Sequence, residues 1–365
     1  MINLSFFPSR RLAFYTVRLF LTRSLAVLVA LVMILMTLDL LGESGKILAV
    51  QGNSDADLWH YVALRVPMLI ARFLPFSVLL GTLIAFVGLN QHSEVVAMKA
   101  AGISAHQILA PLIIASLGVA AISFTFNEVV VVKSARAVSA WSDNDYRPVP
   151  AESGVMSNVW LVSGDDFVRV GLASGQGSGI HAQNVTVYER QQNVLERVIH
   201  AARASPQGRS WRLTNVRVYD ANMNLVRKLP EMTAMDGVTP ETLTLAKVDP
   251  DLLDFFTLKR RIAEMERAGR QTDEARAGMW HKISGPMSTL LMPLLAAVAA
   301  FGLARSGQVL LRAVTGMALG FTYFFADNFS LAMGNVGAYP PLLAAWAPFF
   351  LFLLIGETVL IRSEE

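Results

Sequence analysis

Gln91-His92-Ser93-Glu94-Val95-Val96-Ala97-Met98-Lys99-Ala100-Ala101-Gly102-Ile103-Ser104-Ala105-His106-Gln107 joins two long apolar runs, Val66–Leu89 and Ile108–Phe126. A tether between such runs needs only polarity, but this one is written as a short helix. Ser93 is a suitable N-cap, Glu94 lies in the first turn where the helix dipole favours an anion, and Gly102 suits the left-handed position after the last turn. A helix of about two turns is marginal alone in water. It persists only where something packs on it, so the segment reads as a docking element on the cytoplasmic side of a membrane protein. Its contact residues are expected to be Ser93, Glu94, Val95, Met98, Lys99 and Gly102.

A membrane-spanning helix needs about 20 apolar residues. Outward from the quoted stretch, the chain offers runs at Phe14–Leu38, Val66–Leu89, Ile108–Phe126, Ile283–Ala304, Val309–Met333 and Leu342–Ile361. No soluble domain needs six such runs. The chain is 53% hydrophobic and 16% charged, below the roughly 25% charged residues of soluble proteins, and its mean hydropathy is +0.45. The polarity is segregated, with dense charge and turn residues between positions 150 and 276. A formal net charge of +3 from scattered cations excludes nucleic-acid binding as a theme. Absence of cysteine excludes disulfides, Fe–S clusters and thiol catalysis. The basic N-terminus (Arg10, Arg11, Arg18) resembles a signal peptide, but no small-residue cleavage site follows Ser24–Leu38, so the run reads as a retained span.

Lys and Arg in short loops set the orientation. Arg10, Arg11, Arg18, Arg23, Lys99, Arg305, Arg312 and Arg362 fall on one side; Lys46 and Arg65 fall on the other. The first side is therefore cytoplasmic, both termini face inward, and the insertion faces outward. The domains expected are 1–127, holding spans one to three with a coupling helix at about 92–102; 128–255, an outer β domain; 256–276, a connecting helix; and 277–365, spans four to six. In the insertion, Val168 and Val170 alternate around Arg169, and Val185 and Val187 around Thr186. Trp211, Leu213, Val216 and Val218 alternate with one slip, as at a bulge. Short alternating strands between Gly/Ser/Pro clusters indicate a sandwich or jelly roll. Thr257 is the expected cap of a helix from Leu258 to Ala268, closed by Gly269.

Chemistry is sparse. No Gly-x-x-x-x-Gly-Lys-Ser/Thr phosphate loop occurs, so active transport would draw on another chain or on an ion gradient. The six histidines lack metal-ligand spacing, and neither a catalytic site nor a cofactor or metal is expected. Asp327, about 22 Å along a helix from Arg312, lies in the outer third of the bilayer. It reads either as functional or as a helix-end carboxylate that reaches the interface or pairs with Lys282. Asp39, Glu43, Glu128 and Asp327 all sit toward outer ends, which argues against an ion relay at mid-depth. Asp39 and Arg305 complete the candidate structural charges. Pro67 and Pro75 should bend the outer half of span two. Phe73 and Phe76 there, with Phe324 and Phe325 on span five, either wall an apolar lipid cavity or pack between helices.

Four stretches resemble the lipopolysaccharide-export permease family LptF/LptG across essentially the whole chain: Arg72-Phe73-Leu74-Pro75-Phe76 with Leu80-Gly81; Ser93-Glu94 to Gly102; Met279-Trp280-His281-Lys282-Ile283 with Pro286; and Arg305-Ser306 with Arg312 to Gly316. Trp280-x-Lys282 and Leu38-Asp39-Leu40-Leu41 resemble the LptG branch more than the LptF branch. The resemblance implies an α-helical integral membrane protein with six transmembrane helices and an inserted periplasmic β-jelly-roll-like domain. It also implies a non-catalytic permease subunit in the bacterial inner membrane, paired with an LptF-like paralogue and powered by an LptB-like ATPase dimer. An LptC-like single-span protein would continue a periplasmic β bridge, and lipopolysaccharide would be the cargo. Some members carry lysines around the outer end of span one; here Met36, Gly42 and Glu43 stand there, with Lys46 the nearest cation. Alternatives are an LptF-type paralogue, an ion-driven lipid carrier, which would follow a gradient without an ATPase, and an envelope-sensing scaffold, which would show no turnover.

Overall fold

Apolar runs of this length become helices because lipid offers no partner for backbone N–H and C=O groups. The computed structural model describes residues 9–148, 156–163, 165–175, 179–191, 194–208, 210–240, 243, 248–267, 269–302 and 309–362. The chain divides into two compact units, one comprising 1–40, 65–134 and 250–365, the other 41–64 and 135–249.

The first unit is helical. Helices α1 (Arg10–Leu48) and α2 (Asp55–Gln91) begin in the second unit's segments or end there, and α2 stays helical through Pro67 and Pro75. Helix α3 (Glu94–Ala100) is the short element between α2 and α4 (Ala105–Phe126). Helix α4 runs on through a π turn, Asn127–Val131, into α5 (Val132–Asp143), so the chain stays helical well past the expected end of span three. After the sheet come α6 (Phe255–Arg267), α7 (Asp273–Ala297) with a π turn at Val298–Gly302, α8 (Val309–Asn335) and α9 (Pro341–Arg362). Among the described residues, five helices are long and apolar enough to span a membrane. The sixth expected span corresponds to α8, 27 residues long, with Asp327-Asn328 toward its C-terminal end.

Helix α7 is the hub. Of its apolar window 78% is buried, against 17% for α1, and it packs on α4, α8 and α9. Lipid is as apolar as leucine, so packing rather than water exclusion holds such helices together, and small residues permit close approach. A Cβ on Gly81 of α2 would collide with the backbone of Ser24 on α1, so that crossing requires glycine.

The second unit holds a six-stranded antiparallel sheet in sequence order: β1 (Met156–Ser163), β2 (Asp166–Ser174), β3 (His181–Gln191), β4 (Val194–Gln207), β5 (Ser210–Asp220) and β6 (Leu225–Ala234). Among the described residues, each strand pairs with its sequence neighbours, without the crossovers of a Greek key. The jelly-roll-like unit is thus a meander whose apolar face forms a core of its own, from Val159 through Val168, Val187 and Ile199 to Trp211 and Val238. Trp211 is fully buried and its Nε1–H donates to the Val238 carbonyl at 2.8 Å, which satisfies its one polar group.

Two local expectations are corrected. The slip between Leu213 and Val216 is not a register-shifting bulge: pairing with β4 keeps one register on both sides, and Asn215 absorbs the change at φ +56°. It lies level with Asn184 on β3, at φ +51°, so the inward face switches parity in several strands at once. Helix α6 starts at Phe255 rather than Leu258, because Asp254 instead of Thr257 supplies the cap, its carboxylate accepting the Thr257 N–H at 2.9 Å. Gly269 ends the helix as expected, at φ +66°.

Candidate functional site

Helix α3 has seven residues, too few to stand alone. Val95 and Met98, one turn apart, bury themselves beside Phe86, Ile108 and Leu109 in the first unit's core. The far end closes as a Schellman motif: Gly102 N–H donates to Lys99 O and Ile103 N–H to Met98 O, with Gly102 at φ +80°. The near end differs from expectation. Ser93 is left-handed, at φ 58°, and its hydroxyl caps nothing; the serine that caps is Ser104, in a reciprocal box with Gln107 at the start of α4. Tyr15 on α1 donates its hydroxyl to Glu94 at 3.3 Å.

Of the six expected contact residues, Ser93, Lys99 and Gly102 are exposed and Glu94 is half-buried. Val95 and Met98 face inward, so they hold the helix and leave no surface for another chain. Val96, 64% exposed, is the apolar residue of the outer face that the sequence reading missed. The i, i+3 spacing of Val95 and Met98 was the available signal, since it marks the inward face.

A charged cluster lies on α7 and its neighbours. Lys282 Nζ is 3.4 Å from Glu128 in the π turn after α4, with both side chains under 15% exposed. Glu128 also accepts the backbone N–H of Phe255 at 2.5 Å. The preceding residue on α7, His281, places Nε2 3.0 Å from Asp327 on α8. Asp327 therefore pairs with His281, and the expected partner Lys282 is taken by Glu128. Arg65 donates Nε–H and Nη2–H to the two carboxylate oxygens of Asp39, each at 3.0 Å. Arg305 lies outside the described residues. Among the described residues no group of three or more His, Asp or Glu side chains could hold a metal ion.

Among the described ring contacts, the four aromatics expected to wall a cavity do not meet one another. Phe76 meets Phe321, ring centres 5.1 Å apart. Phe325 stacks on Phe329 at 6.2 Å, and both are exposed. Phe73 is exposed only in part by its place on α2, and Phe324 is 43% exposed. Phe321, one turn before Phe324, is the residue sequence reading left out. In the second unit, Lys46, the nearest cation to the end of span one, pairs with Glu43 at 2.9 Å. Tyr146 also donates to Glu43, at 2.7 Å, beside an open cavity of about 950 Å³ lined by Lys46, Asp143 and Arg147.

The arrangement presents a short exposed helix, anchored by Val95 and Met98, beside packed apolar spans. Residues 14–362 match the family described as lipopolysaccharide export system permease LptF/LptG. The chain belongs to that family. The LptF/LptG match runs through the helices of both halves and the sheet between them. Within it, the chain is similar to lipopolysaccharide export system permease protein LptG of Escherichia coli (strain K12), 27% identical over 352 residues, covering 93% of this chain and 94% of that protein. It is also similar to LptG of Haemophilus influenzae (strain ATCC 51907 / DSM 11121 / KW20 / Rd), 26% identical over 328 residues, 86% of this chain and 89% of that protein. The chain is thus an LptG-like, multi-pass permease of the lipopolysaccharide export system, and the family role is transport rather than catalysis.

Proposed function

We propose that the chain is the LptG-type half of an ATP-driven exporter that extracts lipopolysaccharide from the outer leaflet of the inner membrane and passes it to a periplasmic β bridge. Its partners in this reading are an LptF-like paralogue, an LptB-like ATPase dimer and an LptC-like single-span protein. The observation that carries the reading is α3, anchored by Val95 and Met98, closed by a Schellman motif, and presenting Val96 and Lys99 outward with Glu94 half-buried at its start. A chain without a phosphate loop that transports actively draws on another chain or on an ion gradient, and an exposed, anchored helix favours the first. The test is co-purification: the full chain, expressed with the paralogue and the soluble ATPase, should hold the ATPase in fixed stoichiometry. Transport that follows an ion gradient with the ATPase absent would remove the reading.

The same reading places 128–255 in the periplasm, 1–127 and 277–365 in the membrane, and 256–276 as the connection between them. A periplasm-dependent reporter fused after Gly208 should be active, and one fused after Gly102 inactive. Cytoplasmic signal from the Gly208 fusion would break this topology.

The lipid path follows α2 and α8, where Phe76 meets Phe321 and Phe324 and Phe325 stand exposed. Aromatic faces suit several acyl chains, because the contact is non-directional. Photo-crosslinking residues at positions 73 and 324 should capture glycolipid in the assembled complex, with yield falling as ATP drives release. Crosslinks to protein alone would mark these positions as interhelical packing.

A further inference from the structure

One ladder of the β unit crosses all six strands: Trp160, Arg169, Thr186, His200, Arg217 and Lys228 are successive partners from β1 to β6. The rows on either side, Val168–Val187–Ile199–Val218 and Val170–Val185–Ala201–Val216, are buried in the core. Side chains alternate across a strand, so the Arg169–Lys228 row stands on the opposite, solvent face. Arg217 lies directly opposite Lys228 on the adjacent strand, a like-charge pairing that destabilises a sheet. Neither residue makes an ion pair among the described residues. The next row out on this face is Phe167, Tyr188, Val198 and Tyr219 and holds no carboxylate; the next row on the other side ends in Glu231.

Aromatic surface accompanies the charge. Trp160, 49% exposed, stacks on Tyr188 with centres 5.8 Å apart and planes at 13°, and the Arg169 guanidinium lies 5.9 Å over its ring. The Thr186 hydroxyl is 3.2 Å from His200 Nδ1. Partial burial, then Arg217 and Arg169, lower the His200 pKa, so the imidazole is neutral at neutral pH and can exchange hydrogen bonds with a hydroxyl. At the spacing of sheet strands the row is about 24 Å long.

We propose that this solvent-face row binds the phosphorylated saccharide of the exported glycolipid, with Arg217, Lys228 and Arg169 on the anionic groups and Trp160 against a sugar face. Arg217 and Lys228 face each other across β5 and β6, and their mutual repulsion opposes folding. An external polyanion removes that repulsion, and flat aromatic surface beside cations fits sugar rings bearing phosphate better than it fits a bare anion. The identity of the saccharide rests on the exporter reading above.

The test uses the full chain in detergent micelles and a defined probe, deacylated lipopolysaccharide oligosaccharide with its phosphates intact. Wild type should bind it, more weakly as salt rises. R217E/K228E should lose affinity about tenfold or more, and R217Q/K228Q, which adds no negative charge, should lose less. The same oligosaccharide after dephosphorylation should bind wild type no better than the charge-reversed variant binds the phosphorylated form. Equal binding by wild type and both variants, no binding by wild type, or retention only of phosphatidylglycerol vesicles or of an acidic protein would each overturn the proposal. ATPase co-purification is read separately on the same chain co-expressed with the paralogue and the ATPase. If wild type captures no ATPase, the exporter reading fails, while the oligosaccharide affinities still decide the row.

Discussion

Glu94→Lys should abolish stable capture of the ATPase while leaving the membrane unit folded. Glu94 stands at the start of α3, half-buried, with the Tyr15 hydroxyl as a contact at 3.3 Å. In an ATPase pocket, its carboxylate would gain charge-assisted donors. Truncating one member of a desolvated charged pair costs about 2–5 kcal/mol, or roughly 30-fold to several-thousand-fold in affinity. If Glu94 serves only its own helix, the loss is about 0.3–1 kcal/mol. Tyr15→Phe separates these readings. It removes the intramolecular contact alone, and an exposed hydrogen bond contributes about 1 kcal/mol or less. The measurement is ATPase retained on the immobilised permease pair, with thermal unfolding in the same detergent as the fold control. Glu94→Lys retaining ATPase at the wild-type level would end the proposal that α3 is the coupling contact. Val96→Asp should also weaken capture, because the outer face of α3 exposes this residue.

Lys282→Ala should destabilise the chain by about 3–5 kcal/mol, because it leaves Glu128 charged and enclosed without its cation. Lys282 and Glu128 are 3.4 Å apart, and the Phe255 N–H would remain as the carboxylate's donor. The same physics makes a second expectation. Lys282→Met with Glu128→Leu removes both charges and replaces them with apolar volume, so it should be much milder than either single change and can be neutral. Thermal unfolding of wild type, Lys282→Met, Glu128→Leu and the double variant in one detergent completes the cycle. Additive losses would show that the two residues do not act as a pair. The His281–Asp327 contact on the preceding residue gives a check on locality. Asp327→Asn should leave the Lys282–Glu128 coupling energy unchanged, because that pair keeps its own partners.

Much of the architecture was legible because it rests on local, one-dimensional quantities. Run length alone decides which segments can satisfy their backbone in lipid, and period-two alternation at Val168–Val170 and Val185–Val187 predicts strands with one buried face. Both are properties of contiguous residues, as is the left-handed glycine that closes α3. Motif residues, read against the family they resemble, carried the permease assignment.

Pairings between distant residues were not legible. Sequence places Lys282 within reach of Asp327 as readily as His281 does; which of two neighbours on α7 meets α8 depends on the rotation of the helix, set by packing along its whole length. The same holds for Val95 and Met98, whose inward direction comes from the core beneath α3, and for Phe321, which meets Phe76 where sequence pointed to Phe324. Ser93 and Ser104 carry the same chemistry, yet Ser104 alone has the extended backbone that lets a hydroxyl reach the N–H of the third helical residue. The cationic row of the sheet is the extreme case. Arg169, His200, Arg217 and Lys228 are far apart along the chain, and strand register alone brings them into line. Sequence by itself determined which segments form long apolar helices and which become strands, because burial and backbone satisfaction act on contiguous runs. The tertiary structure decided which side chains meet, because helix rotation and strand register are collective results of packing that no single residue encodes.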